Sequence, residues 1–248
     1  MSQFKLFLLA ISFYTRLPTP NHLDYSHLSK ANIYLPLVGW IIGGISAICF
    51  YLSDQLWSQN TAVIVALSAG IFLTGAFHED GFADVCDGFG GGYDRQQILK
   101  IMKDSQIGTY GAIGLILLMA TKLNILSTLP APLIPWLLIA AHSWSRFQPL
   151  LLMQRFDYAR TDLSKAKLAA SKPSSSELFV AGIIALLPVL LLPISCILTL
   201  PITLFVNGCL GHYFFRHIGG YTGDCLGASQ QVAEVVFYLC IDALWTFI

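Results

Sequence analysis

Acidic residues and glycines crowd into one stretch of the sequence, residues 78–111. Six of the fourteen acidic residues and seven of the twenty glycines lie in it. Carboxylates this close together repel one another unless a cation lies among them. Asp80, Asp84 and Asp87 are spaced i, i+4 and i+7, so a helix would place all three on one face. Their oxygens are ligands that Mg²⁺ or Mn²⁺ prefers, and the spacing therefore predicts a divalent-metal site.

Glycines follow these acidic residues directly. Gly90, Gly91 and Gly92 come shortly after Asp87. Glycine lets the backbone approach a ligand closely and turn its N–H groups toward phosphate oxygens. We therefore predict a phosphate-binding loop beside the metal site. The alternative is a solvated acidic loop that ends in a glycine turn.

Three further charged positions have two interpretations each. Lys103 and Asp104 precede another glycine-rich segment. They fit either a phosphate contact beside a base or metal ligand, or ordinary charges at a membrane surface. Asp224 lies in a second glycine-rich segment, residues 219–228, where a ligand role and a turn with a capping aspartate explain it almost equally well.

The elements that must position these residues are apolar. The chain is 55% hydrophobic and 11% charged, and its mean hydropathy is +0.66, which predicts an integral membrane protein. A spanning helix needs about 20 mainly apolar residues. We predict an all-α fold, a polytopic membrane bundle of about seven transmembrane helices, at about 33–53, 61–77, 111–127, 132–153, 178–198, 200–215 and 232–248.

The predicted bundle forms a single integral membrane domain over residues 1–248. Residues 1–32 are expected to be a cytoplasmic or interfacial N-terminal segment. Residues 78–110 are expected to form an acidic catalytic loop between two spans. The formal net charge is zero, so charge gives no reason to expect a nucleic-acid partner. The lipid bilayer is the expected partner, and a homo-oligomer stays open.

The basic residues predict an orientation, because cytoplasmic loops near membrane spans collect Lys and Arg. With the N-terminus inside, twelve of the fourteen basic residues fall on one side. The predicted outer turns, at about 54–60, 128–131 and 199–201, contain none. The acidic stretch is therefore expected on the cytoplasmic side of the membrane.

Two basic residues fall inside the predicted spans. Lys122 lies near the outer end of the third span, and we expect its ammonium group to reach the interface. Arg146 lies about 10 Å from the inner end of the fourth span, with His142 on the same helical face. Its guanidinium would either clamp a phosphate or pair with one of the acids.

Five ordered segments resemble the cobalamin synthase family, the adenosylcobinamide-GDP ribazoletransferases. They are FYTRLPTP at 13–20, PLVG at 36–39, FHEDGFADVCDGFGGG at 77–92, IMKDSQIGTYG at 101–111 and GYTGDCLGA at 220–228. The resemblance spans nearly the whole chain. It implies a polytopic membrane enzyme that uses Mg²⁺. Such an enzyme transfers the phosphocobinamide moiety of adenosylcobinamide-GDP to α-ribazole, or to its 5′-phosphate, and releases GMP.

The resemblance also implies roles for the candidate residues. The metal ligands would be Asp80, Asp84 and Asp87. The catalytic residues would be a base, a phosphate contact and a support for the metal, namely Asp104, Lys103 and Glu79. Substrate or phosphate contacts would come from Gly90, Gly91, Gly92, Arg95, Arg146 and Asp224.

Two other functions stay open. CDP-alcohol phosphotransferases have the similar pattern DxxDGxxAR followed by GxxxDxxxD. Residues 84–88 match its start, but Gly91 and Gly92 stand where Ala-Arg is expected, and the later paired aspartates are missing. A cation transporter would also hold acids in a membrane, but it would place them near the midplane rather than at the inner end of a span.

Overall fold

The computed structural model describes residues 2–160 and 171–247. Regular secondary structure in this part of the chain is helical. The α-helices are α1 (Gln3–Tyr14), α2 (Leu28–Ala31), α3 (Leu35–Asp54), α4 (Gln59–Thr74), α5 (Phe77–Gly91), α6 (Arg95–Ile101), α7 (Thr109–Thr128), α8 (Ile134–Arg155), α9 (Ser175–Leu186), α10 (Thr199–Ile218) and α11 (Gly223–Trp245).

Several of these helices suit a membrane. Three helical segments are long and apolar enough to cross one: Tyr25–Asp54, Thr109–Thr128 and Ile194–Ile218. Helices α4 and α5 pass the same test only as a pair, and they meet at an angle of 88°. The predicted all-helical class is confirmed. The predicted number of seven spans is not confirmed, since the described residues give three such helices, or four if the bent pair counts as one.

The predicted division between the fifth and sixth spans is wrong. The outer turn was expected at 199–201, but α10 already begins at Thr199. The chain instead breaks at Leu192, which is extended with φ −89° and ψ 162°, immediately before Pro193. Proline disfavours the helical conformation in the residue before it, whereas Pro201 lies in the first turn of α10, where proline is tolerated.

Residues 78–110 are mostly helical rather than the predicted loop, because α5 and α6 occupy most of them, and their catalytic role stays a prediction. The chain turns between α4 and α5 at two left-handed residues, Gly75 with φ +67° and Ala76 with φ +58°. Asp80, Asp84 and Asp87 therefore lie on one continuous helix, as their spacing required, but that helix is not an extension of the second span. Part of the next predicted cytoplasmic loop, residues 161–170, lies outside the described residues.

Helix α8 forms the centre of the bundle, and every residue from Ala140 to Leu150 is buried. Helix α3 packs antiparallel against it through two glycines. A Cβ on Gly39 would overlap the backbone of His142, and one on Gly43 would lie 2.7 Å from the Cα of Ile139. The two helices approach this closely only because both positions lack a side chain.

We expect Gly43→Ala to lower the stability of the protein by about 1–3 kcal/mol, because the added methyl group meets backbone atoms of α8 that cannot move aside. Gly44→Ala is the matched control, since a Cβ there meets nothing within 4 Å. It should be neutral or stabilising by up to about 1 kcal/mol. Thermal unfolding in detergent compares the two, and equal losses would contradict this packing.

Candidate active site

The acidic face of α5 lies against the first turn of α11. A Cβ on Gly81 would lie 3.0 Å from both the Cα and the carbonyl oxygen of Asp224. A Cβ on Gly227 would lie 3.2 Å from the carbonyl oxygen of His78. No side chain separates the two backbones at this crossing. The carboxylates that flank Gly81 on α5 are thereby brought close to Asp224.

We call Asp80, Asp84 and Asp224 the acidic group, and their charges act on one another. Burial, together with the charges of Asp224 and Asp80, raises the pKa of Asp84 from its ordinary value of 3.8 to about 7. Burial also raises the pKa of Asp224, although the nearby Arg160 opposes this shift. A bound cation would relieve the repulsion among the three carboxylates.

Asp87 has a structural role that its spacing did not predict. Its two carboxylate oxygens accept hydrogen bonds from the N–H groups of Gly108, at 2.7 Å, and Gly111, at 2.8 Å. These N–H groups lie at the N-terminus of α7, where they have no partner within the helix and favour a negative charge. A Cβ on either glycine would overlap the carboxylate. Asp87 therefore positions α7 beside α5, and its role as a metal ligand stays a prediction.

The glycine tract is not the predicted phosphate-binding loop. Helix α5 continues through Gly91, and Gly92 caps it. A Cβ on Gly90 would lie 2.6 Å from the ring of Tyr110, and one on Gly91 would lie 3.5 Å from the Cδ1 of Ile101. These glycines let α6 and α7 approach α5, so packing explains the tract. Phosphate contacts by the tract stay a prediction that its helical backbone does not favour.

The segment after α6 carries the predicted base. Asp104 is exposed, and its Oδ1 accepts a hydrogen bond from the backbone N–H of Gln106 at 3.1 Å. Lys103 beside it lines a groove together with Arg95, at the other end of α6, and Arg160. The structure thus brings two of the predicted phosphate contacts, Arg95 and Lys103, to one groove. The catalytic role of Asp104 stays a prediction.

Arg160 is a residue of the site that no sequence motif marks. Its guanidinium donates to Asp224 Oδ2 at 3.0 Å and to the carbonyl oxygen of Met102 at 3.3 Å. The backbone holds it there, because Ala159 N–H donates to the carbonyl oxygen of Tyr221 at 2.8 Å. Two segments far apart in the sequence thus pair and place Arg160 between the acidic group and the end of α6.

Glu79 belongs to a buried polar network. Its Oε1 accepts a hydrogen bond from Gln231 Nε2 at 2.9 Å. Lys122 donates to Gln231 at 2.7 Å and to Glu234 at 2.8 Å. Lys122 is only 2% exposed, so the prediction that its ammonium group reaches the interface is wrong. A carboxylate on the neighbouring helix gives this charge a partner inside the bundle.

Arg146 lies beside the same network. It is 2% exposed and donates to the carbonyl oxygen of His142 at 3.0 Å, while its charge faces those of Glu234 and Glu79. The cavity that these residues line has a volume of about 10 Å³, which holds about one water molecule. A phosphate does not fit there. Of the two interpretations of Arg146, the structure favours the electrostatic pairing with buried acids.

Within residues 2–160 and 171–247, no group of three or more His, Cys, Asp and Glu side chains is arranged to hold a metal ion as it stands. The acidic group nevertheless offers hard oxygen donors of the kind that Mg²⁺ takes. Asp80 and Asp84 lie on α5 and Asp224 on α11. Asp80 is the exposed member of this group, and a shared cation stays a prediction.

Known proteins match this chain over almost its whole length. Residues 6–242 match the family described as cobalamin-5-phosphate synthase. A protein from Shewanella amazonensis named adenosylcobinamide-GDP ribazoletransferase is 43% identical, and the match covers 99% of both chains. Proteins of the same name from Shewanella frigidimarina and Vibrio parahaemolyticus are 41% and 40% identical, over 98% of this chain and 96% and 94% of theirs. No solved structure matches.

We expect Lys122→Met to cost about 3–5 kcal/mol, because it leaves the carboxylate of Glu234 buried with fewer partners. The double variant Lys122→Met/Glu234→Met removes both charges and should recover part of this loss. Thermal unfolding in detergent measures both variants against the wild type. If the double variant were less stable than Lys122→Met, the loss in the single variant would not come from the unpaired carboxylate of Glu234.

Proposed function

The chain belongs to the cobalamin-5-phosphate synthase family, and we propose that it joins an activated cobinamide to a ribazole. The relatives that it matches are named adenosylcobinamide-GDP ribazoletransferase. In the proposed reaction the phosphocobinamide moiety of adenosylcobinamide-GDP passes to α-ribazole or to its 5′-phosphate. The products are adenosylcobalamin, or its 5′-phosphate, and GMP.

The observation that carries this proposal is the acidic group at the crossing of α5 and α11. Asp80, Asp84 and Asp224 would hold Mg²⁺ there. The support for this assignment is the raised pKa of Asp84, since carboxylates that resist ionisation together favour a shared cation. Bound Mg²⁺ would stabilise negative charge on the transferred phosphoryl group and on the departing GMP phosphate.

The residues of the chain would perform the remaining steps. A hydroxyl group of the ribazole attacks the phosphorus on the cobinamide side, and the bond from that phosphorus to the bridging oxygen breaks. Asp104 is the proposed base that takes the hydroxyl proton. Arg160 holds Asp224 in position through their ion pair. Asp87 keeps α7 docked and so supports the face of α5 that carries the other carboxylates.

We place this site on the cytoplasmic side of a prokaryotic inner membrane. In the sequence, basic residues precede α3, lie on and after α6, and follow α8. Such an excess of Lys and Arg is typical of cytoplasmic ends. Adenosylcobinamide-GDP and Mg²⁺ would then reach the site from the cytoplasm, and GMP would be released there.

The two alternative functions are not supported. Neither the matched family nor the names of the relatives refer to a CDP-alcohol phosphotransferase or to a cation transporter. The buried charges of Lys122 and Glu234 are paired with each other, so they do not form the acidic pathway that a cation transporter would need.

The direct test is to incubate the purified protein in detergent with Mg²⁺, adenosylcobinamide-GDP and α-ribazole. We expect GMP and a cobalamin product in equal amounts, and no CMP when a CDP-activated lipid precursor replaces the corrinoid. Asp84→Asn should reduce product to background, because the site loses a carboxylate. Asp54→Asn, at the far end of α3, is the control and should keep full activity. Near-normal turnover by Asp84→Asn would contradict the assignment of Asp84 as a ligand of Mg²⁺.

The raised pKa of Asp84 predicts a second effect of Asp84→Asn. The folded protein binds this proton more tightly than the unfolded chain does, so stability falls as the pH rises from 3.8 to about 7. Without divalent cations, we expect the variant to be as stable as the wild type near pH 3.8. Above a pH of about 7, the variant should be more stable than the wild type by on the order of 1 kcal/mol, which allows for solvent screening of this partly exposed carboxylate.

Thermal unfolding across this pH range, with a chelator and then with Mg²⁺, measures the effect. Mg²⁺ should raise the unfolding temperature of the wild type more than that of Asp84→Asn. If Mg²⁺ raises the unfolding temperatures of the two proteins equally, Asp84 does not bind the cation.

A further inference from the structure

A basic groove lies next to the acidic group. Its volume is about 490 Å³, within the range of roughly 300–1,000 Å³ that ligand sites occupy. Four cationic side chains, one amide and two apolar side chains line it: Arg95, Lys100, Lys103, Arg160, Gln96, Leu99 and Ala159. We call this surface the basic groove. Its composition suits an anion that carries more than one negative charge.

The basic groove is built on one face of α6. Arg95, Leu99 and Lys103 are spaced i, i+4 and i+8, so they follow one another along the helix and the residue just past its end. The opposite face carries Ile98 and Met102, each only 2% exposed, which pack against the end of α5. This division fixes the helix, because the apolar face can be buried only with the cations turned outward.

Backbone contacts close the other wall of the basic groove. Arg95 Nη2 donates to the carbonyl oxygen of Ala159 at 3.0 Å. Arg160 reaches back to the carbonyl oxygen of Met102 at 3.3 Å. Helix α6 and the segment before Arg160 are therefore tied together, and these contacts hold the guanidinium groups of Arg95 and Arg160 in place.

Arg160 links the basic groove to the acidic group. Its guanidinium pairs with the carboxylate of Asp224 at 3.0 Å. The buried Nε of Arg160 has no hydrogen-bond partner in this part of the chain. Guanidinium and ammonium groups gathered in this way are the usual partners of phosphate oxygens, which arginine contacts with two parallel N–H groups.

We propose that the basic groove binds the nucleoside diphosphate part of the activated substrate and then the nucleoside monophosphate product. Arg160 touches both the groove and Asp224, so the scissile phosphate would lie where the groove meets the acidic group. The proposal rests on the proposed function. It adds Lys100 and Arg160 to Arg95 and Lys103, the predicted phosphate contacts that line the groove, and it assigns the leaving group its own site.

A membrane protein also collects Lys and Arg beside anionic lipid headgroups, and a lipid phosphate would suit the same cations. Two properties favour the nucleotide. The groove adjoins the acidic group rather than one of the three spanning helices. Its two ends lie on separate segments, which suits an elongated ligand with phosphate at one end.

The test compares two double variants that remove equal charge. Lys100→Gln/Lys103→Gln changes the basic groove, while Lys5→Gln/Lys30→Gln changes exposed lysines on the N-terminal segment. Equilibrium binding of radiolabelled GMP and GDP is measured for both in a neutral detergent. We expect the groove variant to bind at least about tenfold more weakly, which corresponds to about 1.4 kcal/mol. The control should bind as the wild type does, and both should unfold at the wild-type temperature.

A second arm identifies the source of the phosphate. Binding is repeated with mixed micelles that contain phosphatidylglycerol or phosphatidylcholine. If the groove variant loses affinity for phosphatidylglycerol but keeps its affinity for GMP, the site is a lipid site and the nucleotide proposal is wrong. If phosphatidylglycerol leaves GMP binding unchanged and the groove variant still binds GMP weakly, the nucleotide proposal holds.

Kinetics separates this proposal from the proposed function. The groove variant should raise the KM for adenosylcobinamide-GDP about tenfold or more and leave the KM for α-ribazole unchanged. If the wild type forms cobalamin and both double variants have its KM values, the groove proposal is wrong and the proposed function stands. If the wild type binds GMP but forms no cobalamin, the proposed function is wrong and the groove proposal stands.

Discussion

The close approach of α5 to α11 is the constraint on which the site depends. Gly81 and Gly227 each face the backbone of the other helix, so the helices cross without intervening side chains. This spacing allows the carboxylates on α5 and Asp224 on α11 to raise the pKa of one another. The sharp turn at Gly75 makes the crossing available, because it directs α5 away from α4 and across the end of the bundle.

A buried network supports this crossing from within the bundle. Glu79, in the first turn of α5, is bonded to Gln231 on α11, which in turn accepts from Lys122. Glu234 balances the charge of Lys122. Burying charges is costly unless each has partners, so this arrangement tolerates little displacement. Helix α11 therefore carries Asp224 of the acidic group at its start and part of the buried network further along. The hydrogen bond between Gln231 and Glu79 ties this helix to α5.

Much of the class and function could be predicted from the sequence. The hydropathy predicted a helical membrane protein, because apolar runs are a local property of the chain. The spacing of Asp80, Asp84 and Asp87 predicted a shared face, since helical periodicity depends only on position along one element. Five ordered motifs indicated the family. The loops and span boundaries were predicted less well, because glycine-rich segments such as residues 88–91 become helical when neighbouring helices cover them.

The chemical residue types and their periodicity were thus determined by the sequence alone, whereas their partners were decided by the tertiary structure. Lys122 and Arg146 read as charges that needed an interface or a ligand, yet helices distant in sequence supply their neighbours. Asp87 docks α7 through N–H groups that become available only when that helix packs nearby. Arg160 joins the acidic group to the basic groove because two remote segments pair. The physical reason is common to all of these: a charge is stabilised by whatever lies within a few ångströms, and folding alone decides which groups those are.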